Sequence, residues 1–218
     1  MLMTQFRATT FAIVGIAMLS ADAGVAVDAQ SIDVELSTLT VHVYKTGLFS
    51  AFADNHIIRA PIAGGRISEE GTRAVELTLK AAQMTVLDPG LSADKRAEVQ
   101  ARMRGPEVLD SERYPDIRFV STRIAPEGAD RWQVTGDLSL HGASRPLTFA
   151  VVRGDGRLRG TVSIRQRDFG IQPISIAGGT VKVKDELRIE FEIVGAKRLP
   201  DDDVLDRSGR KVSIDKGR

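Results

Sequence analysis

The chain has 218 residues, of which 42% are hydrophobic, 27% charged and 5% aromatic, and it contains no cysteine. This length suits one domain with a sizeable core, and the hydrophobic fraction excludes a largely disordered chain. Thirty basic residues against 29 acidic ones give a net charge of +1, so no overall positive field attracts nucleic acid. The lack of cysteine excludes disulfides, thiol nucleophiles and Cys-ligated zinc.

Residues 1–29 have the pattern of a signal peptide. A short segment with one basic residue, Arg7, precedes an uncharged apolar stretch from Ala8 to Leu19, and small residues follow. That stretch is too short to span a bilayer well. We therefore expect a periplasmic or secreted protein cleaved after Ala29, with an uncleaved membrane anchor as the alternative.

From residue 30 to residue 197 apolar side chains recur at every second position, which is typical of strands with one buried face. The clearest runs are Leu39–Val43, Val75–Leu79, Ile117–Phe119, Val134–Leu140, Leu147–Val151, Leu158–Ile164 and Leu187–Ile193. Glycine-containing segments between the runs, among them Gly64-Gly65, predict tight turns. Because no long helical segments alternate with the strands, we expect antiparallel pairing.

Two segments depart from this alternation. Ser92 is predicted to cap a helix that continues to Met103 and ends at Gly105-Pro106. Residues 198–218 mix acidic and basic side chains without a sustained apolar period, so they are predicted to be a mobile polar tail.

Three blocks of the sequence, in this order, resemble motifs of the YceI-like family. They are residues 110–121 (DSERYPDIRFVS), 132–142 (WQVTGDLSLHG) and 167–171 (RDFGI). The resemblance implies an exported all-β protein, an antiparallel lipocalin-like barrel of about eight strands with a short helical insertion. It also implies an interior that holds one long apolar ligand, because known members bind isoprenoid chains or related lipids.

Inward apolar positions and the aromatic residues near one end form the predicted ligand site. Its residues are Leu39, Val41, Phe49, Phe52, His56, Leu77, Phe119, Leu138, Leu140, Phe149, Val162, Phe169 and Phe191. A register slip of one residue at any bulge would exchange the two faces of a strand.

Ligand entry is predicted at Gly47 to Ile58, where apolar side chains lie next to Asn55 and His56. These two could hydrogen-bond the carbonyl or hydroxyl head of a quinone-like ligand. The alternative is that Phe49 and Phe52 plug one end of the barrel.

Gly170 is predicted to have a positive φ or to lie close to another backbone segment, with Phe169 and Ile171 packing on opposite sides.

Signals for catalysis are sparse. His42, His56 and His141 lack the spacing of a local metal site, so we expect neither a metal nor a cofactor. The nucleophile elbow, the phosphate loop and the metalloprotease motif are missing from the sequence, so we expect a binding protein rather than an enzyme. Two alternatives stay open: an enzyme acting on a lipophilic substrate in the same cavity, and an interaction module for a membrane redox partner. The oligomeric state, a dimer included, is also open.

Overall fold

The computed structural model describes residues 29–46, 55–68, 72–176 and 181–196, which form a curled antiparallel sheet with one α-helix. The strands are β1 (Gln30–Ser31), β2 (Thr38–Thr46), β3 (His56–Arg59), β4 (Ile62–Ser68), β5 (Ala74–Lys80), β6 (Thr85–Val86), β7 (Asp116–Gly128), β8 (Arg131–Leu140), β9 (Ala143–Gly154), β10 (Arg157–Arg165), β11 (Ser175–Ile176) and β12 (Val181–Ile193). The helix α1 spans Ala93–Arg104, and short 3-10 turns span Ala81–Gln83 and Gln166–Phe169.

Eleven of these strands follow one another in the order β1-β4-β5-β7-β8-β9-β10-β12-β2-β3-β6, and β11 pairs with β12. All the pairings are antiparallel. Only Ala60 and Pro61 separate β3 from β4, which lie near opposite ends of this order, so the chain itself joins the two sides of the curled sheet. The sheet therefore wraps around an interior, and the prediction of an all-β antiparallel fold with an inserted helix is confirmed.

The predicted number of about eight strands is wrong. Eight strands are seven residues or longer, and the others, β1, β3, β6 and β11, have two or four residues. Segments this short contain too few positions for alternation to be recognised. The interruption between β3 and β4 falls at Pro61, which has no N–H to donate to a ladder.

The predicted turn at Gly64-Gly65 is also wrong, because both glycines lie inside β4. The register shifts between Ile62 and Gly64, which marks a bulge. A Cβ on Gly65 would lie 2.6 Å from Cδ1 of Ile32. At this position glycine therefore allows close packing.

The two ends of the barrel are named here from the strand directions. The upper end is where β2 ends at Thr46 and β10 ends at Arg165, and the lower end is where β5 begins at Ala74 and β8 begins at Arg131. A small buried cluster near the lower end consists of Ile32, Ile62, Ile67 and Ile193. The main core cluster lies between the inner faces of the longer strands and α1.

The helix predicted from Ser92 is confirmed, with the Ser92 hydroxyl accepting a hydrogen bond from the Lys95 backbone N–H at 3.4 Å. The side-chain amide of Gln100 attaches α1 to the edge strand β6. Its Oε1 accepts from the Val86 N–H and its Nε2 donates to the Met84 carbonyl, both at 2.8 Å. These contacts hold the helix at the upper end of the sheet.

On the outer face, Glu192 connects β10 and β12. Its carboxylate accepts hydrogen bonds from Arg157 and from Arg159, the latter at 2.5 Å between Nε and Oε2. The Arg159 guanidinium, with Arg157 adding to it, holds the pKa of Glu192 below its ordinary value.

The conformation of Gly170 generates the first testable prediction. Its φ is 76°, as predicted from the sequence, and it lies between Phe169 and Ile171, which are both buried. Valine in this left-handed region is strained by about 1–3 kcal/mol, so Gly170→Val should lower the free energy of unfolding by roughly that amount. Chemical denaturation measures the change.

Gly170→Asn is the matched control, because asparagine tolerates a left-handed conformation better than β-branched residues do. It should lose less stability than Gly170→Val. An unchanged unfolding curve for the valine variant would contradict the argument from strain.

Candidate ligand-binding site

The interior of the curled sheet contains a cavity of about 1220 Å³ whose wall is mostly apolar. Strand alternation explains this wall, because the inner residues of β2, β5, β7, β8, β9, β10 and β12 are almost all aliphatic or aromatic. Ten of the residues predicted to contact a ligand line the cavity: Leu39, Val41, His56, Leu77, Phe119, Leu138, Leu140, Phe149, Val162 and Phe191.

Of the three other predicted site residues, one lies off the cavity wall and two lie outside the described residues. Phe169 is buried in the core and is not on the cavity wall, since the 3-10 turn Gln166–Phe169 takes it out of the strand alternation. Phe49 and Phe52 lie outside the described residues, as does most of the predicted entry segment. Asn55 is also not on the wall, and its Oδ1 accepts a hydrogen bond from the Lys45 backbone N–H at 3.2 Å.

Three aromatic rings form a row along the cavity wall. The ring of Phe149 lies 5.4 Å from that of Phe119 and 5.6 Å from that of Phe191, measured between centroids. Glycines lie beneath the two outer rings: a Cβ on Gly136 would be 2.5 Å from Cζ of Phe119, and one on Gly160 would be 2.9 Å from Cε1 of Phe191. The absence of side chains at these glycines lets the rings pack against the wall.

The lower end of the cavity is covered by Trp132. Its indole lies between two guanidinium groups, with Cζ of Arg73 5.9 Å and Cζ of Arg153 5.2 Å from the ring centroid. Such cation–π contacts stabilise an arrangement by about 0.5–1 kcal/mol each. Trp132 is buried, and all three residues line the cavity.

The upper end has a different character. Here the cavity is lined by a polar set that we call the upper mouth: Lys45, His56, Lys95, Glu98, Arg102 and Lys182. Three of these come from α1, while Val99 and Met103 of the same helix complete the apolar wall. Lys95, Glu98, Arg102 and Lys182 are exposed, so these lining side chains reach solvent.

His56 is held in place by Asp88. Its Nδ1 lies 2.5 Å from Oδ2 of Asp88, a carboxylate that is only 4% exposed. Oδ1 of Asp88 accepts the Ile57 N–H at 2.7 Å, and its backbone carbonyl accepts from Arg96 at 3.3 Å. Donation from Nδ1 to the carboxylate leaves Nε2 of His56 available to a ligand.

Sequence reasoning missed Asp88. It lies 32 residues from His56, and the Asp88-Pro89-Gly90 segment indicates only a turn. No local spacing connects the two residues, so the pair becomes visible only in the folded chain.

The other two histidines do not line the cavity and make structural contacts. His141 has a φ of 51° in the turn after β8, its ring lies 4.6 Å from that of Tyr114, and its Nδ1 lies 3.1 Å from the Phe169 carbonyl oxygen. His42 has its Nε2 3.5 Å from the Glu190 carboxylate.

The described residues contain no group of three or more His, Asp or Glu side chains that could hold a metal ion. Among the same residues, no helix has both the length and the apolar character that a membrane crossing requires.

A curled antiparallel sheet around a large apolar cavity defines a barrel of the binding type. Residues 4–195 match the YceI-like domain, and the chain therefore belongs to the YceI-like family. The resemblance seen in the sequence motifs is confirmed.

Curated relatives are similar over part of the chain. A UPF0312 protein of Pseudomonas putida strain F1 is 30% identical over 112 residues, which are 47% of this chain and 55% of that protein. A UPF0312 protein of Pseudomonas savastanoi pv. phaseolicola is 34% identical over 111 residues, 46% of this chain and 56% of that protein. The chain thus spans about half the length of the curated relatives it matches.

Among solved structures, BcnA of Burkholderia cenocepacia is similar with a TM-score of 0.56 at 19% identity. The match covers 76% of this chain and 99% of BcnA. At this identity the likeness shows the fold alone.

The His56–Asp88 pair generates the second prediction. Asp88→Ala removes a buried carboxylate that accepts hydrogen bonds from the Ile57 N–H and His56, and should lower the free energy of unfolding by about 1–3 kcal/mol, as measured by denaturant titration. Asp88→Asn keeps an oxygen acceptor and should cost less.

Asp116→Ala serves as a control, because it removes an exposed carboxylate that pairs with Lys80 at 2.5 Å. Exposed pairs contribute about 0–1 kcal/mol, so this loss should be the smallest of the three. Equal losses for Asp88→Ala and Asp116→Ala would contradict the structural role of Asp88.

Proposed function

We propose that this protein is an exported binding protein that carries or stores a long apolar ligand, such as an isoprenoid, a quinone-like molecule or another lipid. The observation that carries the proposal is the apolar cavity of about 1220 Å³ inside the sheet. Pockets for drug-sized ligands have volumes of roughly 300–1000 Å³, so this cavity suits a larger molecule. A barrel that filled its own interior with side chains would have no such space.

The length of the cavity supports a chain-like ligand. Val183 and Ile193, both on β12, line it. A register shift between Val183 and Leu187 adds residues to β12, so the span is counted on the facing strand β2. Eight residue steps at ~3.3 Å, in a strand tilted by about 40°, give a lining ~20 Å long along the barrel axis. An extended hydrocarbon chain fits such a space better than a compact ring system does.

The polarity of the wall suggests which part of the ligand determines its affinity and which part determines its orientation. Apolar burial contributes about 25 cal/mol per Å² and ~0.8 kcal/mol per methylene group, whatever the exact branching of the chain. The upper mouth has more polar lining residues than the lower end, and there Nε2 of His56 can accept a hydrogen bond from a hydroxyl head group. The tail therefore supplies most of the affinity, and the upper mouth orients the ligand.

Export is supported by the sequence of residues 1–29, which lie almost entirely outside the described residues. Their basic start, uncharged apolar stretch and small residues are those of a signal peptide. We therefore place the ligand-carrying protein in the periplasm or outside the cell.

An enzyme acting on a lipophilic substrate in the same cavity is the second candidate. The His56–Asp88 pair favours it, because a histidine oriented by a buried carboxylate is a common arrangement for proton transfer. Incubating the protein with its copurified lipid and measuring the lipid mass distinguishes the two: a carrier leaves the mass unchanged, whereas an enzyme changes it.

The third prediction tests the carrier function by native mass spectrometry of protein purified from a membrane-rich extract. The protein should carry a lipid. Val162→Trp places a large side chain on the cavity wall and should remove most of that lipid while the protein stays folded, because the cavity has room for the indole.

Val152→Trp is the matched control, since Val152 is exposed on the neighbouring strand β9. This variant should retain the lipid. Full lipid retention in folded Val162→Trp would contradict the proposal, and so would a cost of about 1–3 kcal/mol of the kind that overpacking a filled interior produces.

A further inference from the structure

We infer that the upper mouth selects a ligand with an anionic head group, a carboxylate or a phosphate, on its long apolar tail. This inference rests on the proposed function and names the class of ligand. It concerns the charge of the six residues that form the upper mouth and their position at the end of the apolar wall.

The upper mouth has a local excess of positive charge. Arg102 forms an ion pair with Glu107, whose carboxylate lies 3.7 Å from its Nε. Lys45, Lys95 and Lys182 have no ion-pair partner among the described residues, and Glu98 is the one acidic residue of the set. The lining thus has three ammonium groups outside any ion pair and one carboxylate, with the Asp88 carboxylate held behind His56, in a chain whose net charge is only +1.

The position of Lys45 connects this charge to the apolar wall. Leu39, Val41 and Val43 are successive inner residues of β2, and Lys45 is the next inner position of the same strand. The half-buried Lys45 pairs across the ladder with Val183, which also lines the cavity. An apolar row therefore ends in an ammonium group, the arrangement that complements an amphiphile with a negative head.

The adjacent strand places a further donor at the same point. Lys182 is exposed at the start of β12, pairs with Thr46 next to Lys45, and also lines the cavity, so a second ammonium group lies at this rim. His56 pairs with Val43, which puts it beside Lys45 on the wall, but with Nδ1 donating to Asp88 its Nε2 is an acceptor and adds no donor for an anion. Charge-assisted hydrogen bonds from the two ammonium groups to a carboxylate or phosphate are roughly twice as strong as those between neutral groups.

Among the described residues, the basic groups of the lower end are arranged differently. The guanidinium groups of Arg73 and Arg153 lie over the ring of Trp132 and keep their charge there. The head group is assigned to the upper mouth because the apolar row of β2 ends there at Lys45.

The experiment compares ligand pairs that differ only in the head group. Dissociation constants of the delipidated full chain are measured by calorimetry for geranylgeranyl phosphate against geranylgeraniol, and for oleate against oleyl alcohol. At about 0.1 M salt at least one anion should bind about tenfold tighter than its alcohol, which is the effect of ~1.4 kcal/mol. The preference should shrink at about 1 M salt, where the screening length falls to ~3 Å.

Two variants assign the preference to the upper mouth. The double variant Lys45→Met and Lys182→Met keeps the apolar stems and should lower the affinity for the anions to that for the alcohols, which abolishes the preference. Lys184→Met is the control, because Lys184 lies two residues from Lys182, off the cavity wall, with Nζ 6.0 Å from the centroid of the Tyr44 ring. It should keep the full preference.

The outcomes test the preference for an anionic head group separately from the carrier function. A preference for the phosphate alone or for the carboxylate alone identifies the head group within the inferred class. Equal affinity for anions and alcohols, or a preference that survives in the double variant, overturns the inference and leaves the carrier function in place. If none of the four ligands binds, the carrier function itself fails and the inference fails with it.

Discussion

The fold depends on antiparallel backbone pairing that continues around a curved sheet. Each long strand bonds to two neighbours, so the sheet itself supplies backbone partners, although β9 and β10 pair only between Val151–Gly154 and Arg157–Gly160. Where the strands are paired, a wide apolar interior leaves no backbone N–H or carbonyl in need of a partner from that interior. Side-chain alternation supplies the apolar wall, and glycines such as Gly136 and Gly160 let aromatic rings pack against it. A cavity of about 1220 Å³ is compatible with this architecture because the backbone makes the hydrogen bonds of the sheet, while the side chains determine how much of the interior is filled.

Both ends of the barrel have basic side chains, but these side chains make different contacts at the two ends. At the lower end, guanidinium groups lie over an indole and cover the cavity. At the upper end, α1 and the segment around Asp88 are attached by polar contacts, while lysines remain at the rim without ion-pair partners in the described part of the chain. The asymmetry gives the cavity a direction, with a covered base and a polar rim that faces solvent.

Much of this could be predicted from the sequence, because a period of two identifies both the strand and the face it buries. The inner rows of β2, β7, β8 and β12 follow from that pattern alone. The prediction failed where the alternation is interrupted. The strands β3 and β4 are divided at Pro61, and the glycines of β4 allow close packing and a bulge where a turn had been predicted. The 3-10 turn moved Phe169 off the wall, and Asp88 meets His56 only through tertiary structure. Local patterns report periodicity and turn chemistry, and they carry no information about contacts between distant side chains.

The hydrogen bonds of Gln100 affect how the edge strand β6 can interact with other protein chains. A strand at the margin of a sheet normally presents free N–H and carbonyl groups, on which a strand from another molecule can add. Here β6 is only two residues long, and the amide of Gln100 already bonds the Val86 N–H and the neighbouring Met84 carbonyl, which also accepts from Arg104. The helix therefore blocks the addition of another strand at β6, and this edge of the sheet is protected from intermolecular β-aggregation.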